Sequence, residues 1–430
     1  MRMSDKFPTL GEATRVWAKI AALSFGGPAG QMAVMHRILV DEKRWLGEQR
    51  FLHALNFCML LPGPEAQQLV TYVGWLMHGV RGGLIAGLLF ILPGMLSILA
   101  LSVVYVLYGD VAWVSAVFFG LKAAVLAIVV QAVIRLAGRA LKTWLMRGLA
   151  VASFVGIFAL GLPFPLIILA AALVGWIAVR GGASEEEALA DTSLLADIEV
   201  TPERKSATFR AGWAALAAWL VPVLAIVLLA PESVLSEIAT FFSTLAMMTF
   251  GGAYAALAWV AQDGVGVYGW LTASQMVDGL GLAETTPGPL IMVLQFVGFL
   301  AGYREGLSVA IIGALLTTWV TFAPCFVWIF FGAPFMERLR TNRRLQGALK
   351  AVTSAVVGVI MNIAIWFAVH VIWAEVGVSR TGMPVPDLSS IKWDAAALCV
   401  LAGVMVLGLK WGIGRVLLVC AACGLALSMV

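Results

Sequence analysis

Apolar residues run along this chain in long blocks, and the polar positions between them are few and grouped. The blocks 82–108, 111–134, 164–179, 212–230, 306–331 and 351–373 predict membrane-spanning helices, because roughly 18 or more consecutive apolar residues cross a bilayer. The first 80 residues show a different pattern. Helix-breaking residues divide them into pieces 10–25, 29–43, 46–60 and 65–79, each about 15 residues or roughly 22 Å of helix, short of a bilayer's roughly 30 Å hydrocarbon layer. These pieces predict two hairpins that enter the membrane, turn inside it and leave on the side they came from.

The interrupting residues recur. Ser24-Phe25-Gly26-Gly27-Pro28 is matched by Thr249-Phe250-Gly251-Gly252, and Pro62-Gly63-Pro64 by Pro287-Gly288-Pro289, both at an offset of 225, with Trp45 falling on Trp270. Further on, Arg81-Gly82-Gly83 aligns with Arg304-Glu305-Gly306 and Lys122 with Lys350, at offsets of 223 and 228. Two copies of one unit are therefore expected: 1–180 and 231–430, joined by a charged linker 181–210 and an extra span 211–230. Composition sets the class: 61% of residues are hydrophobic and 12% charged, about half the charged share of ordinary soluble domains. No compact apolar leader follows Met1, and the segment around Glu12, Arg15 and Lys19 reads as amphipathic.

Charge placement fixes the expected topology. Residues 37–50 carry Arg37, Lys43, Arg44 and Arg50, whereas the matching 262–275 carry no Lys or Arg; 135–147 and 363–375 repeat that contrast. It reverses at 105–120, which has neither, against Arg338, Arg340, Arg343 and Arg344 in 333–348. Basic loops stay cytoplasmic, so the copies are read as inverted. The fold class expected is an all-α polytopic membrane protein of two inverted-topology repeats. Each holds two re-entrant helical hairpins plus full spans, with a cytoplasmic amino terminus and an external carboxyl terminus.

Glycine permits sharp turns and proline is tolerated in a helix's first turn. Each break would then aim unpaired N–H groups and a positive dipole end toward mid-membrane, an arrangement suited to an anion. Candidate binding residues are Ser24, Phe25, Gly26, Gly27, Pro28, Pro62, Gly63, Pro64, Thr249, Phe250, Gly251, Gly252, Thr286, Pro287, Gly288 and Pro289. The Ser24, Thr249 and Thr285-Thr286 hydroxyls either donate to the anion or bond back to their own helices. Lys122 sits in an apolar span, where a functional role is the default reading; Lys350 is its match near an arginine cluster. Glu65 is read as a helix-start partner or a proton-coupling group, with Glu284 and Asp278 as further coupling candidates. Asn56, Gln67, Gln68 and Gln295 are candidate lining groups.

Together, Phe25-Gly26-Gly27-Pro28-Ala29-Gly30-Gln31, Trp45-Leu46, Leu61-Pro62-Gly63-Pro64-Glu65-Ala66 and Thr286-Pro287-Gly288-Pro289 resemble the chromate ion transporter family in its long, two-domain form. The resemblance implies chromate export across a bacterial inner membrane, conferring resistance, with sulfate as the isosteric relative. It places Phe25 to Pro28 and Pro62 to Glu65 on the motifs of the first domain. Phe250 to Gly252 and Pro287 to Pro289 fall on those of the second, where Ala253 stands in place of Pro28. An anion channel, a sulfate transporter, an intramembrane enzyme and a structural protein are the competing readings. No His-Glu-x-x-His or Gly-x-Ser-x-Gly motif is present and the four histidines lack ligand spacing, so no enzyme, cofactor or metal is expected. Cys420-x-x-Cys423 reads as packing residues. The expected partners are an oxyanion and the lipid bilayer, with no nucleic acid; two chains could associate, but nothing in the sequence requires it.

Overall fold

The computed structural model describes residues 7–25, 27–109, 111–178, 201–250, 253–335, 342–378 and 384–429. Helix α1 (Leu10–Leu23) opens on a capping box in which Thr9 and Glu12 satisfy each other's backbone N–H groups. The chain leaves helical geometry at Ser24 and Phe25, and α2 (Gly27–His36) resumes on Gly27 at φ +70° with Pro28 in its first turn. A π-helical turn, Arg37–Glu42, ends the first hairpin, and α3 (Glu48–Cys58) begins the second.

Helix α4 (Glu65–Tyr108) consists of two arms, 65–77 and 80–108, divided at His78 and Gly79, whose backbones are not helical. The arms pack side by side so closely that a Cβ on Gly74 or Gly82 would strike the other's backbone, and one on Gly87 would strike Thr71. Small residues permit such contacts between membrane helices. The break leaves a short arm, 65–77, and a long arm, 80–108.

Then come α5 (Ala112–Ala140), the short pair α6 (Trp144–Phe158) and α7 (Phe164–Ala178), and α8 (Pro202–Leu229). The same order of elements follows: α9 (Val234–Met248), α10 (Ala253–Val260) with a π turn at Ala261–Val265, α11 (Ala273–Thr285), the 3-10 turn Leu290–Met292 leading into α12 (Val293–Tyr303), and α13 (Leu307–Gly332). Helix α14 (Arg343–Ile372), a small antiparallel hairpin of β1 (Val376–Val378) and β2 (Pro384–Pro386), α15 (Trp393–Gly403) and α16 (Ile413–Leu427) complete the fold. Among the described residues, five helices are long and apolar enough to cross a membrane. The buried core between them is dominated by Trp17, Trp75, Trp219 and a set of phenylalanines.

Three expectations bear on these elements. The block 164–179 forms a helix over Phe164–Ala178, about 22 Å long, preceded by the equally short α6; residue 179 lies outside the described residues. Residues 202–210 of the charged linker form the first turns of α8; its residues 181–200 lie outside the described residues. The spacing at the turn after the Pro-Gly-Pro helix differs between the halves. Arg81 follows the Gly79 turn, whereas Arg304 precedes the Gly306 turn, and the close pair Gly74–Gly82 has its counterpart in Gly298–Gly313. The second half therefore carries its extra residues in this turn.

Candidate functional site

The two sets of helix breaks meet by exchange. Gly63 N–H donates to the Thr249 carbonyl at 2.8 Å, and Gly288 N–H donates to the Ser24 carbonyl at 2.8 Å. Each Pro-Gly-Pro turn is therefore held by the Phe-Gly-Gly break of the other half. The turns need glycine: Gly63 has φ +110° and Gly288 φ +102°, conformations that other residues adopt only with strain. Side-chain amides brace them further, Gln31 Nε2 donating to the Gly288 carbonyl and Gln68 Nε2 to the Pro62 carbonyl, both at 2.7 Å. Gly27 lies against Leu290, and α10 packs on the Leu290–Met292 turn.

Helix α4 starts at Glu65 directly after Pro64, and the Leu290–Met292 turn starts directly after Pro289; no side chain caps either one. By position, the leading N–H groups of both have no acceptor within their own helical turn. Ser24 and Thr249 do not add to them. Their hydroxyls donate to the Ile20 and Leu245 carbonyls at 2.6 Å, and Thr285 and Thr286 likewise bond back to Leu282 and Ala283. Of the two roles open to these hydroxyls, the structure has them closing the ends of their own helices. Gly26, Gly251 and Gly252 lie outside the described residues.

Two cavities flank the seam between α5 and α11. The larger, about 960 Å³, reaches Phe25 and the α11 end at Glu284 and Thr285, and its wall includes Arg135 and Lys410. Glu284 is buried; one carboxylate oxygen accepts from Tyr254 at 2.9 Å and the other has no partner. An acceptor left without a partner at a cavity wall can receive a donor. The smaller cavity, about 350 Å³, lies toward the other end of both helices and includes Lys122, Ser274, His370 and Lys392. Between the two, Asp278 accepts from Tyr105 at 2.9 Å and lies 3.3 Å from the Lys122 ammonium.

Lys122 therefore belongs to the smaller cavity and not to the crossed turns, and Lys350 is exposed and lines neither cavity. Asn56 is exposed as well, whereas Gln67, Gln68 and Gln295 are buried, each with an amide oxygen lacking a partner. Sequence reasoning missed Tyr254, Gln31 and Lys392 as contributors. Only Gln31 carried a signal, as part of the first motif.

Comparison with known proteins adds the decisive observation. The sequence model described as Chromate transporter matches two stretches, residues 11–176 and 236–427. The chain belongs to the chromate transporter family. A chromate transport protein of Pseudomonas aeruginosa is 34% identical over 80% of this chain and 77% of its own length. A probable chromate transport protein of Synechococcus elongatus is 30% identical over 82% and 83% respectively. A third such family member, from Cupriavidus metallidurans, is 27% identical over 84% and 83%. No solved structure matches. The matched stretches contain both Pro-Gly-Pro turns, both helix breaks, Lys122 and Glu284.

Proposed function

We propose that this protein carries chromate, or a similar tetrahedral dianion, out of the cell by alternating access, with the crossed turns as the central site. The observation that carries this reading is the reciprocal bonding of Gly63 to Thr249 and Gly288 to Ser24. It ties the uncapped starts of α4 and of the Leu290–Met292 turn to a single junction between the halves. An anion held by both halves changes sides when they rock against each other.

An inverted-repeat topology fits the elements. The short hairpin α6–α7 returns the first half to the cytoplasmic side, α8 crosses, and the second half runs from the opposite face. The basic loops support the same direction. Under that topology the larger cavity, bordered by Arg135, opens toward the cytoplasm and leads to Phe25 and the α11 end. Expelling a dianion from an inside-negative cell is favourable by roughly 2.3 kcal/mol per charge per 100 mV. The relatives' names supply chromate; donors matched to oxygen positions discriminate weakly between dianions of one shape.

The test is uptake of labelled chromate into everted vesicles with the membrane potential clamped, with and without excess sulfate. Accumulation that sulfate suppresses supports an oxyanion carrier, and absence of accumulation under every gradient overturns it. Currents far above carrier turnover would instead identify a channel. Glu284→Gln is expected to flatten the pH dependence of uptake, because Glu284 lines the larger cavity and has one carboxylate oxygen without a partner. Glu65→Gln serves as the comparison at the start of α4; unchanged profiles in both would remove proton coupling from the mechanism. Ser24→Ala and Thr249→Val are expected to leave initial rates within about twofold, since both hydroxyls already donate within their own helices.

A further inference from the structure

The smaller cavity is bounded by α5, the start of α11, the end of α14 and the chain entering and leaving the β-hairpin. Its charged lining is mostly cationic. Lys122 comes from α5 and Lys392 from the residue before α15, with His370 of α14 in the same wall. We propose that this cavity is a second oxyanion site, in which Lys122 and Lys392 hold the anion and Asp278 competes with it for Lys122.

The geometry around Lys122 supports competition. Its ammonium donates to Ser274 Oγ at 2.6 Å, while Asp278 Oδ1, 3.3 Å away, receives no hydrogen bond. Asp278 is instead anchored through Oδ2 by Tyr105. The lysine is therefore shared between Ser274 and the Asp278 carboxylate, and of its three donors one remains for another acceptor. Charge-assisted bonds to a dianion would be stronger than this contact.

Lys392 is the second cation. It forms no ion pair among the described residues, and the nearby Asp394 carboxylate is turned to the Ala395 N–H at 2.8 Å. Burial first, and then the Lys122 charge, holds the Lys392 pKa below the ordinary lysine value. The two ammonium groups thus repel each other, and an anion between them relieves both. Trp373, also in the wall, keeps its indole N–H buried and without a partner. The α11 amino terminus contributes little, because Thr272 and Gln275 close its first turn in a capping box. A volume of about 350 Å³ accommodates an oxyanion with part of its hydration shell, a single water occupying about 30 Å³.

This site shares its ligand chemistry with the transport reading but none of its residues with the crossed turns, so the two can fail separately. The test is amine-reactive labelling of the purified full-length protein in lipid nanodiscs, read at Lys392 by mass spectrometry. Sulfate and chromate are the probes, and chloride at equal ionic strength is the control. Sulfate is expected to slow Lys392 labelling by about fivefold at four times its dissociation constant, while labelling at exposed Lys19 is unchanged. Asp278→Asn is expected to lower the half-protecting sulfate concentration by about tenfold, since it removes a competing charge. Gly288→Ala should keep the protection even where transport is lost. Labelling at Lys392 that ignores both oxyanions, or protection that disappears in Gly288→Ala, would overturn the assignment.

Discussion

Gly288→Ala is expected to abolish chromate uptake, and Gly63→Ala to reduce it by a smaller factor. Both glycines adopt positive φ, where a side chain adds about 1–2 kcal/mol of strain. Their surroundings then separate them. A methyl group on Gly288 would lie 2.9 Å from Gly94 Cα and 3.1 Å from Gly94 N, so backbone has to move. On Gly63 it would lie 3.0 Å from Cys325 Sγ and 3.3 Å from Gln68 Nε2, side-chain atoms that can yield. Displacing arm 80–108 at Gly94 also draws Gly288 N–H away from the Ser24 carbonyl. A hundredfold loss corresponds to about 2.7 kcal/mol, within reach of strain plus a displaced helix. Initial rates in everted vesicles, normalised to folded protein, read the difference. Cys325→Ala should recover part of the Gly63→Ala loss and none of the Gly288→Ala loss; the reverse ranking would refute the crossed arrangement.

Lys122→Met should produce the second large effect, on folding as well as on transport. It leaves Asp278, about 5% exposed at the side chain, without its counter-charge. Removing one member of a buried ion pair typically destabilises by about 3–5 kcal/mol. The double variant Lys122→Met/Asp278→Asn is expected to regain most of that stability, because nothing charged is left unpaired. It should not regain full transport, since the cation is gone from the cavity. Thermal unfolding in detergent together with initial uptake rates resolves the two roles. A double variant as unstable as the single one would show that the pair does not hold these helices together.

Much of the fold was legible in local sequence. The expected pieces 10–25, 29–43, 46–60 and 65–79 correspond to α1, α2 with its π turn, α3 and the first arm of α4. Glycine and proline break helices through their own backbones, so their effect does not depend on distant partners. The short hairpins were less legible, because a 15-residue apolar helix looks like a clipped span until its turn is located. What could not be read were contacts across great sequence distance. Nothing near Ser24 announces Gly288, and nothing near Lys122 announces Asp278 or Ser274. The repeat suggested that Lys350 would mirror Lys122, yet Lys350 is exposed; equivalent positions need not keep equivalent surroundings once the halves diverge. Lys392, just before α15, gave no periodic or motif signal.

The exchange of hydrogen bonds between the halves has an evolutionary corollary. Neither half owns a complete turn, so neither can drift in specificity alone: a substitution that shifts the backbone at Ser24 is felt at Gly288, and one that shifts it at Thr249 is felt at Gly63. Substitutions that retune the anion should therefore arise as matched pairs on opposite halves, and libraries randomising only one half should yield mostly inactive transporters.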